Sequence, residues 1–520
     1  MADITIIQHG QRFEKTIKNG STVYSAINLT DGSDIHAPCG GKHTCGKCRV
    51  RAKGALSAMS TEESRFLSRD EIKQGIRLAC FAAIQGDCVI ETGCGQKADI
   101  LKAGDTLGQN QDGYGIAVDI GTTTVTLQLF DLYSGRSLHT AAGLNAQAGF
   151  GADVISRIQY QMDNTIEPLR AAITEQLGRM LREALEQAGI KADKISTAVI
   201  TGNTTMLHFL CGLDASGIAA APFVPQSLFG TTVPSDSVFA MAPADFPVYL
   251  PPCVGAYVGA DIVCGILAAL HKKADTAAPE TILLCDIGTN GEMALVSGEK
   301  LLCCSTAAGP AFEGASIYQG MMSVEGAINS VSISGDKIVY TTIGNGPALG
   351  MCGSGLLDAA AAFLKLGCID ESGAIDEDRA CELGLADEVN AQPALRLGNS
   401  GVLLTAEDIR KIQLAKSAIR AGLETLMKTA EIAPEDIGRL IIAGGFGYHL
   451  NKQSAADIGL ISAALLDVAA AGGNTAAIGA ALLFDEALRS KAEALARDME
   501  ELPLSGSAEF MDYYIEHMMF

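Results

Sequence analysis

Tryptophan is absent from the sequence, and aromatic residues of all kinds make up only 5% of it. Proline is also scarce, with 15 residues against 57 glycines. Hydrophobic residues nevertheless contribute 48% and charged residues 19%, which excludes a largely disordered chain. Over 520 residues, this balance predicts an α/β protein of several domains, with many tight turns between strands and helices.

Positive charge and long apolar runs are also in short supply. Lys and Arg number 38 against 60 Asp and Glu, a net charge of −22, which argues against electrostatic binding to nucleic acid or to an anionic membrane. The longest apolar stretches, such as Ile262–Leu270 and Ile461–Leu466, fall short of the roughly 20 residues that span a bilayer. The first residues have neither the basic nor the apolar segment of a secretory signal. We therefore expect a cytoplasmic protein with no nucleic-acid or membrane partner.

Cysteine is unusually frequent, with 15 residues, and its distribution is uneven. Because the total is odd and no export signal is expected, a disulfide framework is not predicted. Nine cysteines lie singly or as an adjacent pair in mostly apolar segments, where cysteine packs as a small hydrophobic residue. The N-terminal group needs another explanation, and it consists of Cys39, Cys45, Cys48, Cys80, Cys88 and Cys94.

Four of these cysteines have the spacing of an iron–sulfur site. Cys39 and Cys45 are separated by five residues, Cys45 and Cys48 by two, and Cys80 follows after 31 more. This is close to the plant-type 2Fe–2S spacing, with one extra residue in the first gap. Structural zinc is the alternative, although zinc sites usually pair two C-x2-C motifs and no second pair exists in this segment. We predict a 2Fe–2S cluster on these four cysteines, with the other two of the group as non-ligands.

The first 97 residues have the layout of a β-grasp domain. A hairpin, a short helix, a Gly- and Cys-rich loop, a second short helix and returning strands follow one another along residues 1–97. This segment resembles a ferredoxin of the 2Fe–2S β-grasp family, and its five-residue first gap is nearer to the adrenodoxin-type variant. Residues 98–112 are polar, with two glycines, and predict a short linker.

After the linker, the sequence repeats itself at the scale of a domain. An apolar strand that ends in Asp119 and turns through Gly-Thr is followed about 170 residues later by one that ends in Asp286. Both copies read D-I-G-T, followed by Thr in the first copy and Asn in the second. This internal duplication predicts two related halves in residues 113–520, at about 113–280 and 281–490, followed by a C-terminal tail.

Both turns have the chemistry of a nucleotide-phosphate site. Backbone N–H groups and hydroxyls suit phosphate oxygens, and the carboxylate suits Mg²⁺, often through water. A Walker A loop is absent. The two turns and a Gly-rich segment resemble the acetate and sugar kinase/heat-shock chaperone/actin superfamily, with a first phosphate loop at 119–124, a second phosphate loop at 286–292 and an adenosine loop at 444–447. The resemblance implies ATP and Mg²⁺ as cofactors, with cofactor contacts from Gly121, Thr122, Thr123, Thr124, Gly288, Thr289, Asn290, Gly291, Gly309, Gly353, Gly444, Gly445, Phe446 and Gly447.

Two aspartates are the best candidates for catalysis of ATP hydrolysis. Asp119 and Asp286 are expected to hold Mg²⁺ and to orient the attacking water, although either could instead cap its turn. Glu292 and Asp261 are weaker candidates for the catalytic base, because each could equally be a solvated or helix-capping carboxylate.

The N-terminal 2Fe–2S domain occurs together with four further motifs: GNTTM (202–206), AGPAFEG (308–314), GMCGSGLLD (350–358) and IIAGGFG (441–447). This combination resembles the reductive activators of corrinoid proteins. The resemblance implies an ATP-dependent enzyme that reduces the inactive Co(II) corrinoid of a methyl-carrier protein to Co(I) through its cluster. It implies a corrinoid protein of a methyltransferase system and a low-potential electron donor as partners, and it leaves a homodimer open. Two alternatives stay open: a small-molecule kinase with a redox-sensing ferredoxin domain, and an ATP-dependent electron donor to another low-potential reductase or dehydratase.

Overall fold

The structure is a computed structural model that describes residues 1–8, 11–28, 43, 48–64, 66–67, 72–73, 75–92, 112–271, 280–444 and 450–520. Of the predicted linker, only Asp112 is among the described residues. The predicted domain boundaries at residues 97 and 112 therefore stay predictions.

The N-terminal part forms a five-stranded mixed sheet. Its strands are β1 (Ala2–Gln8), β2 (Gln11–Ile17), β3 (Arg49–Leu56), β4 (Ile76–Leu78) and β5 (Ile84–Glu91), in the order β2-β1-β5-β3-β4. Strand β1 pairs antiparallel with β2 and parallel with β5, while β3 pairs antiparallel with β4 and β5. Alternate residues point into one core, because side chains alternate between the two faces of a strand, and these include Ile4, Ile6, Val50, Leu78 and Ile90.

The next part of the chain forms a six-stranded sheet. Its strands are β6 (Tyr114–Ile120), β7 (Thr124–Asp131), β8 (Arg136–Leu144), β9 (Ile195–Gly202), β10 (Thr231–Pro234) and β11 (Pro247–Leu250), in the order β10-β11-β9-β6-β7-β8. Strands β6, β7 and β8 form an antiparallel meander, and β9 joins β6 in parallel. Residues 115–118 of β6 are all buried, as expected for a central strand that is covered on both faces.

The C-terminal part contains a second six-stranded sheet and two small ones. Strands β12 (Ile282–Ile287), β13 (Gly291–Ser297) and β14 (Lys300–Thr306) come first. The small sheets contain β15 (Ala327–Ser334), β16 (Lys337–Thr342) and β17 (Gly350–Met351), and β18 (Ala386–Val389), β19 (Gln392–Arg396) and β20 (Leu403–Thr405). Strands β21 (Arg439–Gly444), β22 (Ala469–Gly473) and β23 (Glu500–Glu501) complete the large sheet, whose order is β22-β21-β12-β13-β14-β23.

The two six-stranded sheets share one arrangement of five strands and differ in their extra edge strands, β10 in the first and β23 in the second, which confirms the predicted duplication. In the second sheet β12, β13 and β14 form the meander, and β21 lies parallel to β12 as β9 lies parallel to β6. Asp119 and Asp286 are the second-last residues of β6 and β12, which are central strands of their sheets. The predicted fold class, a β-grasp domain followed by a duplicated actin-like α/β core, is thereby confirmed.

Helices cover these sheets, and local sequence signals set several of their ends. Gly189, in the left-handed conformation with a φ of 66°, ends one long helix, and a capping box of Thr405 with Asp408 begins another. The helices span Val23–Asn28, Thr61–Ser64, Val154–Asp163, Glu167–Ala188, Thr204–Cys211, Ser216–Ala219, Ala260–His271, Gly353–Lys365, Glu377–Glu382, Ala406–Ala430, Lys452–Asp457, Thr475–Leu482, Glu486–Asp498 and Ala508–Glu516.

One helix pair connects the two halves. Helix Ala260–His271 follows the first sheet in the chain, helix Thr475–Leu482 follows β22, and the two pack against each other. A Cβ atom at Gly479 would lie 1.9 Å from the carbonyl oxygen of Cys264, so the close approach of the helices requires glycine at this position. The starts of both helices lie near Asp119. Asn474, which caps the second helix, donates a hydrogen bond to Asp119 at 2.8 Å, and Asp261, in the first turn of the first helix, is near enough for the charge of Asp119 to raise its pKa.

Candidate functional site

Two of the four predicted cluster ligands are described, and they lie side by side. Cys48 precedes β3 and Cys80 follows β4, and both are buried. Their Sγ atoms are 3.3 Å apart, far beyond the roughly 2.05 Å of a disulfide bond. Two thiolates about 2.3 Å from one tetrahedral metal ion lie about 3.8 Å apart, so this pair fits two ligands of one ion. Cys39 and Cys45 lie outside the described residues.

Hydrogen bonds around this pair suit negatively charged sulfur. The backbone N–H of Cys80 donates to Cys48 Sγ at 3.5 Å, a contact that stabilises a thiolate ligand. His43, which the sequence analysis did not single out, lies between the cysteines of the predicted ligand loop. Its Nε2 is 2.9 Å from the carbonyl oxygen of Cys80, and its ring stacks on Phe81 with centroids 4.3 Å apart. Residue 43 therefore lies against the turn after β4, which carries the fourth predicted ligand.

A buried ion pair holds β4 in place. Glu63 is fully buried and accepts hydrogen bonds from Nε and Nη2 of Arg77, both at 2.8 Å. The same carboxylate accepts the backbone N–H of Leu78 at 2.9 Å, two residues before Cys80. Because this bidentate pair satisfies both carboxylate oxygens, it fixes the end of β4, two residues before Cys80.

The second site is a cluster of carboxylates contributed by both halves and lying beside the two phosphate loops, and it is called the cleft below. Asp119 and Asp286 lie near the ends of β6 and β12, and each is partly buried. Asp286 pairs in register with Glu292 on β13, so the two carboxylates point to the same face as cross-strand neighbours. The corresponding neighbour of Asp119 is Thr126, so the duplication is asymmetric at this position. Asp261, at the start of helix Ala260–His271, adds a further carboxylate.

Burial raises the pKa of each of these four carboxylates, and repulsion from neighbouring carboxylates raises the pKa of three of them further. Loss of hydration raises the pKa of Asp119 to about 6, although Nδ2 of Asn474 donates to its Oδ2 at 2.8 Å and counteracts the shift. Burial and then the charge of Asp119 raise the pKa of Asp261 to about 7. Burial and then the charges of Asp261 and Asp119 raise the pKa of Asp286 to about 8. The pKa of Glu292 is raised well above its usual value, again mainly by burial.

These features fit a bound cation. Oε1 of Glu292 is buried and accepts no hydrogen bond from the described residues, and four neighbouring carboxylates with raised pKa values favour a positive ligand. Among the described residues, however, no three His, Cys, Asp or Glu side chains converge at direct metal-binding distance. The arrangement therefore suits Mg²⁺ that keeps its water molecules and binds partly through phosphate oxygens, as this ion usually does.

A fully buried arginine supports the first phosphate loop. Arg157 Nη2 donates to the carbonyl oxygen of Thr122 at 2.7 Å, and its Nε donates to that of Gly151 at 3.0 Å. Burial lowers the pKa of Arg157 to about 10, so its guanidinium remains charged at neutral pH. Asn203 donates from Nδ2 to the hydroxyl oxygen of Thr122 at 3.1 Å. The conformation of the first phosphate loop is thus fixed by Arg157, from helix Val154–Asp163, and by Asn203, the N-cap of helix Thr204–Cys211.

Two of the predicted cofactor-contact glycines lie where the chain packs closely against other protein atoms, and a third does not. Gly444 has a φ of 99°, and a Cβ atom there would lie 2.3 Å from the carbonyl oxygen of Ile287 and 2.9 Å from Oδ1 of Asp286. Gly353 begins a helix where a Cβ atom would lie 1.9 Å from the carbonyl oxygen of Phe312, so its contact is with protein. Around Gly309, by contrast, a Cβ atom would meet nothing within 4 Å.

The structure brings most of the predicted nucleotide residues to this one cleft. The described members that lie in or beside the two phosphate loops are Gly121, Thr122, Thr123, Thr124, Gly288, Thr289, Asn290, Gly291 and Gly444. Gly445, Phe446 and Gly447 lie outside the described residues. The role of each residue stays a prediction.

Several cleft residues were missed by the sequence analysis. Asn203 belongs to the motif GNTTM, and both Asn203 and Asn474 cap helices, a signal that could have placed them. Glu313 ends the 3₁₀ helix Pro310–Glu313 in the motif AGPAFEG, yet no role was attached to it. No local sequence signal marks Arg157 or Glu501, which reach the cleft region only through the tertiary fold.

Comparison with known proteins places both sites in one family. A family model of a 2Fe–2S iron–sulfur cluster binding domain matches residues 6–85, which supports a 2Fe–2S cluster over zinc. The RACo middle region matches residues 114–273, and the C-terminal domain of RACo, the ASKHA domain, matches 280–520, which supports ATP binding. Within the described residues, no helix is both long and apolar enough to cross a membrane.

Relatives with similar architecture are named for corrinoid activation. The corrinoid activation enzyme RamQ of Eubacterium limosum is 32% identical over 424 residues, which cover 78% of this chain and 70% of that protein. The Co(II) methylated amine-specific corrinoid protein reductase of Methanosarcina barkeri is 24% identical over 435 residues, covering 77% and 76%. A solved structure of a reductive activator for corrinoid, iron–sulfur protein is 31% identical, with a TM-score of 0.72 over 99% of this chain and 98% of that one. The chain therefore belongs to the family of reductive activators of corrinoid proteins.

Proposed function

We propose that this chain uses ATP to deliver an electron from a 2Fe–2S cluster to the Co(II) corrinoid of a partner protein, which becomes Co(I). The observation that carries the proposal is that one chain combines a buried cysteine pair in a ferredoxin fold with an acidic cleft assembled from two duplicated halves. Its relatives are named for the same reaction class. The partner is a corrinoid protein of a methyltransferase system, and a low-potential electron donor reduces the cluster again after each transfer. The reaction takes place in the cytoplasm.

Cys39, Cys45, Cys48 and Cys80 would hold the cluster, which supplies one-electron chemistry at low potential. The contribution of the protein is to bury the sulfurs and to donate hydrogen bonds to them, as the N–H of Cys80 does to Cys48. Hydrogen-bond donation to sulfur and burial are two of the means by which a protein adjusts the potential of such a site.

The acidic cleft would bind ATP together with Mg²⁺. Mg²⁺ would neutralise negative charge beside Asp119 and Asp286. Asp119 and Asp286 would orient the bound water molecules, and Glu292 would take the proton of the attacking water, since its Oε1 has no described partner and its pKa is raised. Glycines and threonines of both phosphate loops would contact the phosphates.

Coupling between the two sites follows from the position of the cleft. Thr123 belongs to the first half and Thr289 to the second, and their hydroxyl oxygens are 3.5 Å apart. A nucleotide that contacts both loops therefore has different affinities for open and closed arrangements of the halves, and such a difference is what shifts a conformational equilibrium. ATP would thereby favour a complex in which Co(II) reduction, uphill for a typical donor of about −400 mV, proceeds.

The proposal is tested by reducing the protein anaerobically and mixing it with ATP and a Co(II) corrinoid protein, while the Co(I) absorbance is recorded. We expect Asp286→Ala to retain its reduced cluster and to form little Co(I). Asp387→Ala is the matched control, because Asp387 pairs with Arg396 at 2.7 Å outside the cleft and should leave the reaction unchanged. Wild-type Co(I) formation by pre-reduced Asp286→Ala would contradict the role of the nucleotide site, and a phosphorylated small molecule as product would favour a kinase.

A further inference from the structure

The Glu313 side chain joins the two phosphate loops. Its Oε2 accepts a hydrogen bond from the hydroxyl of Thr289 at 2.6 Å and another from the hydroxyl of Thr123 at 3.0 Å. The two threonines come from opposite halves of the duplicated core. One carboxylate oxygen, from a segment that belongs to neither loop, thus bridges the loops that are expected to bind phosphate.

The surroundings of this carboxylate are those of an anion site. The backbone N–H of Thr289 also faces Glu313 and, with the two hydroxyls, lowers its pKa against the raising effect of burial. The charge of Arg157 acts in the same direction. A Cβ atom at Gly288 would lie 3.5 Å from Oε1, an ordinary contact distance, so the backbone of the second phosphate loop packs directly against the carboxylate. Backbone and hydroxyl donors from a Gly-Thr turn are the groups that recognise phosphate oxygens.

Each hydroxyl carries one hydrogen and can donate to one acceptor at a time. While Thr123 and Thr289 donate to Glu313, neither can donate to a phosphate oxygen. We propose that Glu313 is an internal substitute for the terminal phosphate of ATP, which holds the two phosphate loops together in the nucleotide-free protein and must be displaced when ATP binds. This inference rests on the proposed function only in taking ATP as the ligand of the cleft.

Displacement makes Glu313 a positioning residue that discriminates between nucleotides. A ligand whose phosphates reach both threonines must compete with the carboxylate, whereas a shorter nucleotide leaves Glu313 in place. The carboxylate therefore weakens ATP binding more than ADP binding. When ATP is hydrolysed and phosphate leaves, Glu313 returns to the two hydroxyls and restores the starting arrangement of the loops.

The test measures equilibrium binding of a non-hydrolysable ATP analogue and of ADP by calorimetry, with Mg²⁺ and without turnover. In Glu313→Gln, which keeps the size of the side chain and removes its charge, we expect the analogue to bind about tenfold more tightly, the scale of one charge-assisted hydrogen bond. ADP affinity should change by less than about twofold. Glu313→Asp has a shorter side chain, which moves the charge away from the threonines. It should therefore also raise the affinity for the ATP analogue relative to the affinity for ADP.

Glu501→Gln is the control for overall charge. Glu501 lies close enough to Glu292 to raise its pKa but makes no described contact with either threonine. It should alter the affinities for both nucleotides by the same factor. The inference is overturned if Glu313→Gln changes both affinities equally, if Glu313→Asp binds like the parent, or if both variants bind the analogue more weakly. Absence of nucleotide binding by the parent protein would instead contradict the proposed function.

Discussion

Removal of the charge at Asp286 is expected to stabilise the nucleotide-free protein while it abolishes ATP hydrolysis. Asp286 lies among the carboxylates of the cleft, and no described residue donates a hydrogen bond to it. Asp286→Asn keeps the shape of the side chain and removes one of several like charges. The substitution therefore eliminates repulsion without breaking a described contact, which is unusual for a partly buried polar residue.

The size of this effect follows from the pKa of Asp286, which is about 8 in the folded protein and about 3.9 in an unfolded chain. A carboxyl group with a raised pKa binds protons more tightly when folded, so it destabilises the fold increasingly as the pH rises from about 4 to about 8. At 1.36 kcal/mol per unit, the upper limit is about 5.5 kcal/mol. Because the side chain is partly exposed and solvent screens its charge, we expect about 2–3 kcal/mol at pH 8.5.

Differential scanning calorimetry of the nucleotide-free protein measures this difference, and the absence of tryptophan makes calorimetry preferable to intrinsic fluorescence. The transition of the large C-terminal part should rise by about 3 °C in Asp286→Asn at pH 8.5 and by clearly less at pH 5. Asp387→Asn should behave oppositely, because its salt bridge with Arg396 lowers the pKa of Asp387. If Asp286→Asn is no more stable than the parent at pH 8.5, the proposed repulsion within the cleft is wrong.

Two further predictions concern the individual sites. Asn474→Asp keeps a helix-capping side chain but replaces the hydrogen-bond donor to Asp119 by a second carboxylate. The acidic limb of the pH profile of ATP hydrolysis should therefore move to higher pH. Asn451→Asp is the control at another helix N-cap and should leave the profile unchanged. Cys80→Ser should remove or strongly alter the visible absorbance and the two irons per chain that are expected of a 2Fe–2S cluster. Cys88→Ser, on β5, is the control and should keep both. Stoichiometric zinc in the parent protein would refute the cluster.

The carboxylates of the cleft lower the stability of the unliganded protein but are the groups expected to bind its ligands. Carboxylates that would bind Mg²⁺ and a water molecule repel one another when the cleft holds neither, and the fold tolerates this repulsion. Ligand binding relieves it, because a cation converts repulsion into shared attraction. A substitution that stabilises this site is therefore expected to reduce activity, as is common where catalytic groups are held close together.

The sequence by itself determined the architecture and the principal chemistry. Cysteine spacing predicted the iron–sulfur domain, and the repeated D-I-G-T turns predicted the duplicated core with Asp119 and Asp286 in equivalent positions. Such features are readable because they are local: a strand of consecutive apolar residues that ends in a glycine turn needs no distant contact to be recognised.

Only the tertiary structure decided which groups meet. Glu313 lies 190 positions from Thr123, and Asn474 lies 355 positions from Asp119, yet both pairs form hydrogen bonds. Arg157 carries no local signal, because an arginine on an amphipathic helix is ordinarily exposed, whereas here it is buried beneath the first phosphate loop. The raised pKa values are likewise a property of the assembled cleft, since loss of hydration and repulsion arise only when two sheets and their connecting helices bring distant carboxylates together.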